Sequence, residues 1–190
     1  MALKLRKGGH RDLEKYYTLM EMDFDSAELL PKMTLHRAIS RGSVELLMAY
    51  DDESNLDVAY ALTFPEGMYN YVLLKYIGVL PWYREHGMGI ETMRMINRRY
   101  AEKQGIVAEI AEFEDDYPDH IPKLLRLAAR FGFEETDVEY AIAGTKTHLM
   151  VKPLKGTADI KPVAGRIMAD FYTSCMPFEK AKKIVTMKVK

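Results

Sequence analysis

The stretch Lys75–Tyr100, KYIGVLPWYREHGMGIETMRMINRRY, carries residue types and spacings that suit a phosphate cradle. An apolar strand, Tyr71–Leu80, ends at Pro81. A short loop then holds Arg84, Gly87 and Gly89, and an amphipathic helix follows at once with Ile90, Met93, Ile96 and Tyr100 on one face. The first N–H groups of a helix have no acceptor inside it, and they point outward with the positive end of the dipole. A diphosphate satisfies them when no side chain holds it away, which is what glycine permits. Arg84 adds a forked cation. Arg98, Arg99 and Lys103, with Gly105 after them, suit the far end of the same helix. The pattern Arg-x-x-Gly-x-Gly is neither a Gly-Lys-Ser/Thr phosphate loop nor the three-glycine dinucleotide fingerprint. Gly78 interrupts the strand, and it marks either a bulge with close backbone approach or a packing position.

Proton-handling groups cluster further on. Glu109, Glu112, Glu114, Asp115, Asp116 and Asp119 stand together with no basic residue among them. The run is either a solvated loop or a surface that draws a cationic substrate. His10, His36, His120 and His148 lack metal-ligand spacing, and no metal is expected. Cys175 is the sole cysteine. It excludes an internal disulfide and a thiolate cluster, and it reads as a buried thiol. Trp82 reads as a packing residue.

Periodicity supplies the elements that must position these groups. Strands are expected at Ala2–Lys7, Val44–Tyr50, Leu56–Phe64, Tyr71–Leu80, Ile106–Phe113, Val138–Ala143 and Thr147–Pro153. Helices are expected over 11–24, 27–41, 87–104, 119–131 and 157–175, and the remaining segment, MPFEKAKKIVTMKVK, is open between helix and strand. Pro31 is tolerable only in the first turn of its helix. An early antiparallel meander followed by a strand–helix–strand crossover implies an α+β fold, layered α/β/α, around a mixed, mostly antiparallel sheet of about seven strands.

Composition bounds the partners. The 190 residues are 48% hydrophobic and 29% charged, with a formal net charge of −1. That is ordinary globular usage, not that of a disordered chain. Nothing in the overall charge argues for nucleic acid, and no apolar run reaches the roughly 20 residues that span a bilayer. The expectation is a soluble, cytoplasmic protein. The charge is uneven: residues 152–190 hold nine Lys/Arg against three Asp/Glu. That tail is either a solvated face or a docking surface.

Residues 77–90, IGVLPWYREHGMGI, resemble the signature of the GCN5-related N-acetyltransferases (GNAT family), apolar-x-Val-x-Pro followed by Arg-x-x-Gly-x-Gly. The element order resembles that family over residues 1–153, and LAARFGF at Leu127–Phe133 resembles its Gly-Phe arm before the closing hairpin. The resemblance implies the acyl-CoA N-acyltransferase fold with a splayed central strand pair; residues 154–190 exceed it and read as a helical extension, with Ile160, Val163, Ile167, Met168 and Phe171 as its apolar stripe. The extension would pack on the domain or on a partner subunit, with a homodimer as one form.

The same resemblance implies acetyl-CoA as cofactor and direct attack of a primary amine on its thioester. Main-chain groups of Ile77 and Val79 would pair with the pantetheine arm, and a backbone N–H at Gly78 or Val79 would serve as oxyanion donor. The diphosphate would rest on amides of Arg84, Glu85, His86, Gly87, Met88, Gly89 and Ile90. Tyr83 and His86 would face solvent or the adenine side. The family's usual leaving-thiolate tyrosine falls at Ala128 and its common asparagine near Ile121, so neither role carries over. Glu112 or Glu114 as base, and Tyr117 as phenol, are the substitutes. A small-molecule amine is the expected acceptor. The alternatives are a non-catalytic acyl-CoA sensor and a transferase acting on protein lysines or N-termini.

Overall fold

The computed structural model describes residues 2–65, 67, 69–112, 120–156, 159–160 and 162–189. Two compact units account for the chain: Met1–Pro65 with Leu74–Ala101, and Glu66–Leu73 with Glu102–Lys190.

The first unit begins with β1 (Leu3–Lys7), α1 (His10–Asp23) and α2 (Lys32–Arg41), followed by β2 (Glu45–Asp51), β3 (Asp57–Phe64), β4 (Tyr71–Val79) and α3 (Met88–Arg99). Its strands lie in the order β1-β2-β3-β4, with β1/β2 and β2/β3 antiparallel and in registers that include Leu5↔Ala49 and Leu47↔Ala61. Asp12 starts α1 by accepting the Gly9 N–H at 2.9 Å, which satisfies a helix-end donor. The second helix is shorter than its periodicity predicts. Pro31 disfavours helical geometry at the residue before it, so it stands at the N-cap and residues 25–29 form a turn instead. Gly42, at φ +76°, ends α2 in the left-handed conformation that glycine adopts freely.

Side chains alternate across β3 and β4, so each face has its own cover. Tyr16 of α1 packs parallel to Tyr60 of β3, and Tyr76 of β4 holds the loop after α1 by donating to Glu28 O and accepting from Leu30 N–H. On the other face Thr63 and Glu45 both meet Tyr100 at the end of α3. Met93 and Ile96 are buried beneath that helix as its spacing predicts, whereas Ile90 is 43% exposed.

The second unit holds β5 (Gly105–Ala111), α4 (His120–Arg130), β6 (Glu134–Glu135), β7 (Val138–Ile142), β8 (Thr145–Pro153), α5 (Ala164–Cys175), α6 (Phe178–Ile184) and β9 (Val185–Val189). Strands lie in the order β5-β8-β7-β9, with β6 on β8, and these pairings are antiparallel. The first three residues of β4 belong with this unit.

Nine strands stand among the described residues where about seven are expected. β6 is too short to leave a periodic signal, and β9 was hidden in the ambiguous C-terminal run, where Val185, Met187 and Val189 alternate. The helix expected from residue 157 begins at Ala164, just after Pro162. Its stripe is buried at Ala164, Ile167, Met168, Phe171, Tyr172 and Cys175, and the Cys175 thiol donates to Tyr172 O at 3.3 Å. No helix among the described residues is long and apolar enough to cross a membrane.

Candidate functional site

The loop between β4 and α3 is built from the chain's own turn chemistry. Leu80 N–H donates to Val58 O at 2.9 Å, which fixes the end of β4 to β3. Pro81 opens a 3-10 turn, Pro81–Tyr83, closed by Tyr83 N–H on Leu80 O at 2.9 Å. Glu85 and Gly87 then take φ of +66° and +73°. Glycine does so freely, but for Glu85 the left-handed conformation costs about 1 kcal/mol, a strain of the kind stored at working sites.

The amides divide into two groups. Arg84 N–H is spent on Pro81 O at 3.4 Å, and Ile90 N–H on Gly87 O at 3.0 Å. The amides of Glu85, His86, Gly87, Met88 and Gly89 make no close, well-aligned backbone hydrogen bond among the described residues, although 84–87 form a turn. Five consecutive donors thus lead into the positive end of α3, an arrangement that suits an anion with several oxygens. Of the residues 84–90 expected to form a cradle, Arg84 and Ile90 have their amides spent within the chain. A Cβ on Gly89 would make an ordinary contact with Val79 Cγ2 at 3.5 Å, whereas one on Gly87 would meet nothing within 4 Å.

Arg84 does not aim its guanidinium at those amides. Its Nε donates to Val79 O at 3.0 Å and its Nη2 to Asp23 Oδ1 at 2.7 Å. The cation therefore staples the end of β4 to the end of α1. Asp23 Oδ2 accepts the Tyr60 hydroxyl at 2.9 Å. Burial, with the Asp23 charge beside it, pushes the Tyr60 phenol far above its ordinary pKa, so it stays a donor. This Asp23–Tyr60–Arg84 cluster left no sequence signal, because a tyrosine within an apolar strand reads as core.

Tyr60 also accounts for Gly78. A Cβ there would lie 2.4 Å from Tyr60 Cζ and 2.5 Å from its hydroxyl oxygen. Gly78→Ala is expected to cost about 3 kcal/mol, combining overpacking with a strained hydrogen bond to a carboxylate. Adding Tyr60→Leu should recover part of that loss in a urea-melt double-mutant cycle. Additive losses would place the clash elsewhere.

In the second unit, Glu112 lies just past the end of β5. Its Oε1 accepts from Lys146 Nζ at 2.7 Å and lies 2.6 Å from His148 Nε2, while His148 Nδ1 meets Glu135. The Lys146 hydrogen bond, more than burial opposes it, holds the Glu112 carboxyl below its ordinary pKa. Glu114 and Tyr117 fall outside the described residues. Glu109 is no solvated acid: it is 7% exposed, and it accepts hydrogen bonds from the Tyr140 and Tyr172 hydroxyls. Burial raises the Tyr140 phenol well above its usual pKa. Ala128 lies in the last turns of α4, where its carbonyl accepts from Phe131 and Phe133.

One side chain contradicts its sequence reading. Trp82 is 88% exposed rather than packed, because the turn at Pro81 carries its ring outward. His10 and His36, 26 residues apart, come together on α1 and α2 with their Nδ1 atoms 2.7 Å apart. Among the described residues no group of three His, Cys, Asp or Glu side chains is placed to hold a metal ion.

No family model matches the sequence, and no curated protein matches it. Solved structures do match. NAA60 from Arabidopsis thaliana, in complex with a bisubstrate analogue, superposes with a TM-score of 0.61 at 14% identity over 82% of this chain and 100% of its own. The ribosomal-protein-S18-alanine N-acetyltransferase of Escherichia coli gives 0.60 at 14% identity, covering 83% and 97%. A GNAT superfamily phosphinothricin acetyltransferase from Sinorhizobium meliloti, in complex with acetyl-CoA, gives 0.58 at 20% identity, covering 83% and 92%. The chain has the fold these acetyltransferases share.

Proposed function

We propose that this protein is an acetyl-CoA-dependent N-acetyltransferase that passes the acetyl group to a primary amine by direct attack. The observation that carries this reading is the row of five amides without a close, well-aligned backbone hydrogen bond, 85–89, at the start of α3. The residues fit the cofactor: the donors are backbone, a Cβ at Gly87 would meet nothing within 4 Å, and bound acetyl-CoA would supply an acyl carbon already activated as a thioester.

The chain's own contribution is then positioning, charge stabilisation and proton removal. The amides of 85–89 hold the diphosphate. Main-chain groups of Ile77 and Val79 would align the pantetheine arm, and a backbone N–H at Gly78 or Val79 would face the thioester carbonyl as its oxyanion donor. Glu112 receives the amine proton, directly or through water. Lys146 and His148 keep its carboxylate ionised, as a base must be. A small amine is the proposed acceptor. The fold does not select it, since the similar structures include enzymes named for a ribosomal protein and for phosphinothricin.

Incubation of the protein with acetyl-CoA and a panel of amines, read as free thiol, tests the activity. Thiol release that depends on one amine class supports transfer. Coenzyme A binding without release for any amine would favour the sensor reading, which Ala128 at the usual tyrosine position supports. Glu112→Gln is expected to lower turnover about a hundredfold at unchanged coenzyme A affinity. Equal turnover at every pH would remove Glu112 from the reaction.

A further inference from the structure

We propose that His10 and His36 share one bound proton, which clasps α1 to α2 and makes that contact sensitive to pH. The inference stands independently of the acetyl-transfer reading. The two Nδ1 atoms are 2.7 Å apart, the ring centroids 4.8 Å apart and the ring planes 18° from parallel. Stacked rings would keep their atoms about 3.5 Å apart or more, so these two meet edge to edge, Nδ1 facing Nδ1.

The outer nitrogens decide what lies between the inner ones. His36 Nε2 is 2.6 Å from Glu14 Oε1. The Lys32 hydrogen bond, and then that of His36, holds the Glu14 carboxyl below its ordinary pKa. An ionised carboxylate only accepts, so His36 Nε2 carries a proton. Ser40 Oγ is 3.1 Å from His10 Nε2 and donates to His36 O at 3.0 Å. A hydroxyl has one proton, and with it spent on that carbonyl the Ser40 oxygen accepts from His10 Nε2–H. A neutral imidazole has a single N–H, so two neutral rings would set bare Nδ1 lone pairs against each other. A hydrogen bond between them requires one additional proton, which makes one ring imidazolium and leaves the other imidazole.

The contact then fails in both directions. Loss of the shared proton as pH rises opposes two lone pairs. Gain of a second proton as pH falls opposes two cations at hydrogen-bond distance. The window between the two steps surrounds the ordinary histidine value of about 6.5. Three charged groups face the pair. Glu14 on α1 favours the proton. Lys32 on α2, 2.8 Å from Glu14 Oε2, offsets that charge, and Arg37 on α2 lines the same groove and opposes the proton. Glu14 takes up its own proton only in the acid range below this window, so it stays ionised throughout.

The protein, labelled with heavy nitrogen at histidine, is titrated by NMR from about pH 5 to about pH 9, since the nitrogen shift tells a protonated ring atom from a bare one. His10→Gln and His36→Gln are titrated beside it to assign the signals. Near neutrality both Nε2 atoms are expected to be protonated and one proton to be distributed over the two Nδ1 atoms, with a separate step on each side. Each variant should reduce the remaining ring to a single step. In urea melts the folded-to-unfolded ratio of the parent should exceed that of His36→Gln about tenfold at about pH 6.5, and about twofold or less at about pH 5 and about pH 9. A His10 ring protonated at Nδ1 and bare at Nε2 overturns the proposal, because Ser40 would then donate to a neutral pair. Two single-step titrations, each unchanged by replacement of the other ring, overturn it as well. A stability difference that is equal at every pH shows a contact without the shared proton and overturns the clasp.

Discussion

Gly89→Leu is expected to fold as stably as the parent and to lose about a hundredfold or more in coenzyme A affinity. The stability half follows from local geometry. Gly89 lies in the first turn of α3 at an ordinary helical position, and a Cβ there meets Val79 Cγ2 at 3.5 Å, a normal contact. Leucine also favours helix over glycine by roughly 0.8 kcal/mol. The binding half follows from what the new side chain displaces. Two lost charge-assisted hydrogen bonds, at roughly 1.5–3 kcal/mol each, already exceed the 2.8 kcal/mol or so that a hundredfold requires. Gly87 is the useful contrast. Its φ of +73° makes any side chain strained by about 1–2 kcal/mol although nothing lies within 4 Å. Gly87→Leu should therefore lower Tm as well as affinity. Calorimetry and thermal melts on the two variants separate the effects, and parental coenzyme A affinity in Gly89→Leu would remove the cradle.

How far the sequence disclosed this site depends on what each residue must do. Gly87 and the helix behind it were legible because a left-handed turn position favours glycine and an amphipathic helix repeats its apolar residues at fixed spacing. Gly78 stood out because it interrupts an apolar strand, although its neighbour, the Tyr60 ring, is supplied from another strand and leaves no local pattern. Arg84 was recognisable as important but not in its task, since its partner Asp23 lies 61 residues earlier. Trp82 was misread because aromatic type alone suggests burial, whereas the turn around it decides exposure. The acid run was misread at Glu109 because alternation along β5 turns that carboxylate inward, toward phenols that only the tertiary fold brings. The long elements followed periodicity; α2 and α5 were shortened where Pro31 and Pro162 intervene.

Removal of residues 159–190 is expected to abolish cooperative folding of the second unit, a larger effect than any single substitution. Ile160, Ile167, Met168, Phe171 and Tyr172 are each at most 2% exposed. At about 1.5–3 kcal/mol per fully buried large side chain, these five alone match the 5–15 kcal/mol typical of a whole domain's stability. The truncation also strips β9 from β7, leaving Val138–Ile142 an unpaired edge open to aggregation. Tyr172→Phe isolates one component. Its hydroxyl donates to Glu109 Oε2 at 3.0 Å and Oε1 at 3.1 Å. Loss of a hydrogen bond to a buried carboxylate should cost about 2 kcal/mol while the apolar packing of the ring survives. Circular dichroism melts are therefore expected to show a lowered but cooperative transition for Tyr172→Phe and none for the truncated chain. A truncated protein that melts cooperatively near the parental Tm would mean that α5 and β9 lie on a unit already complete without them.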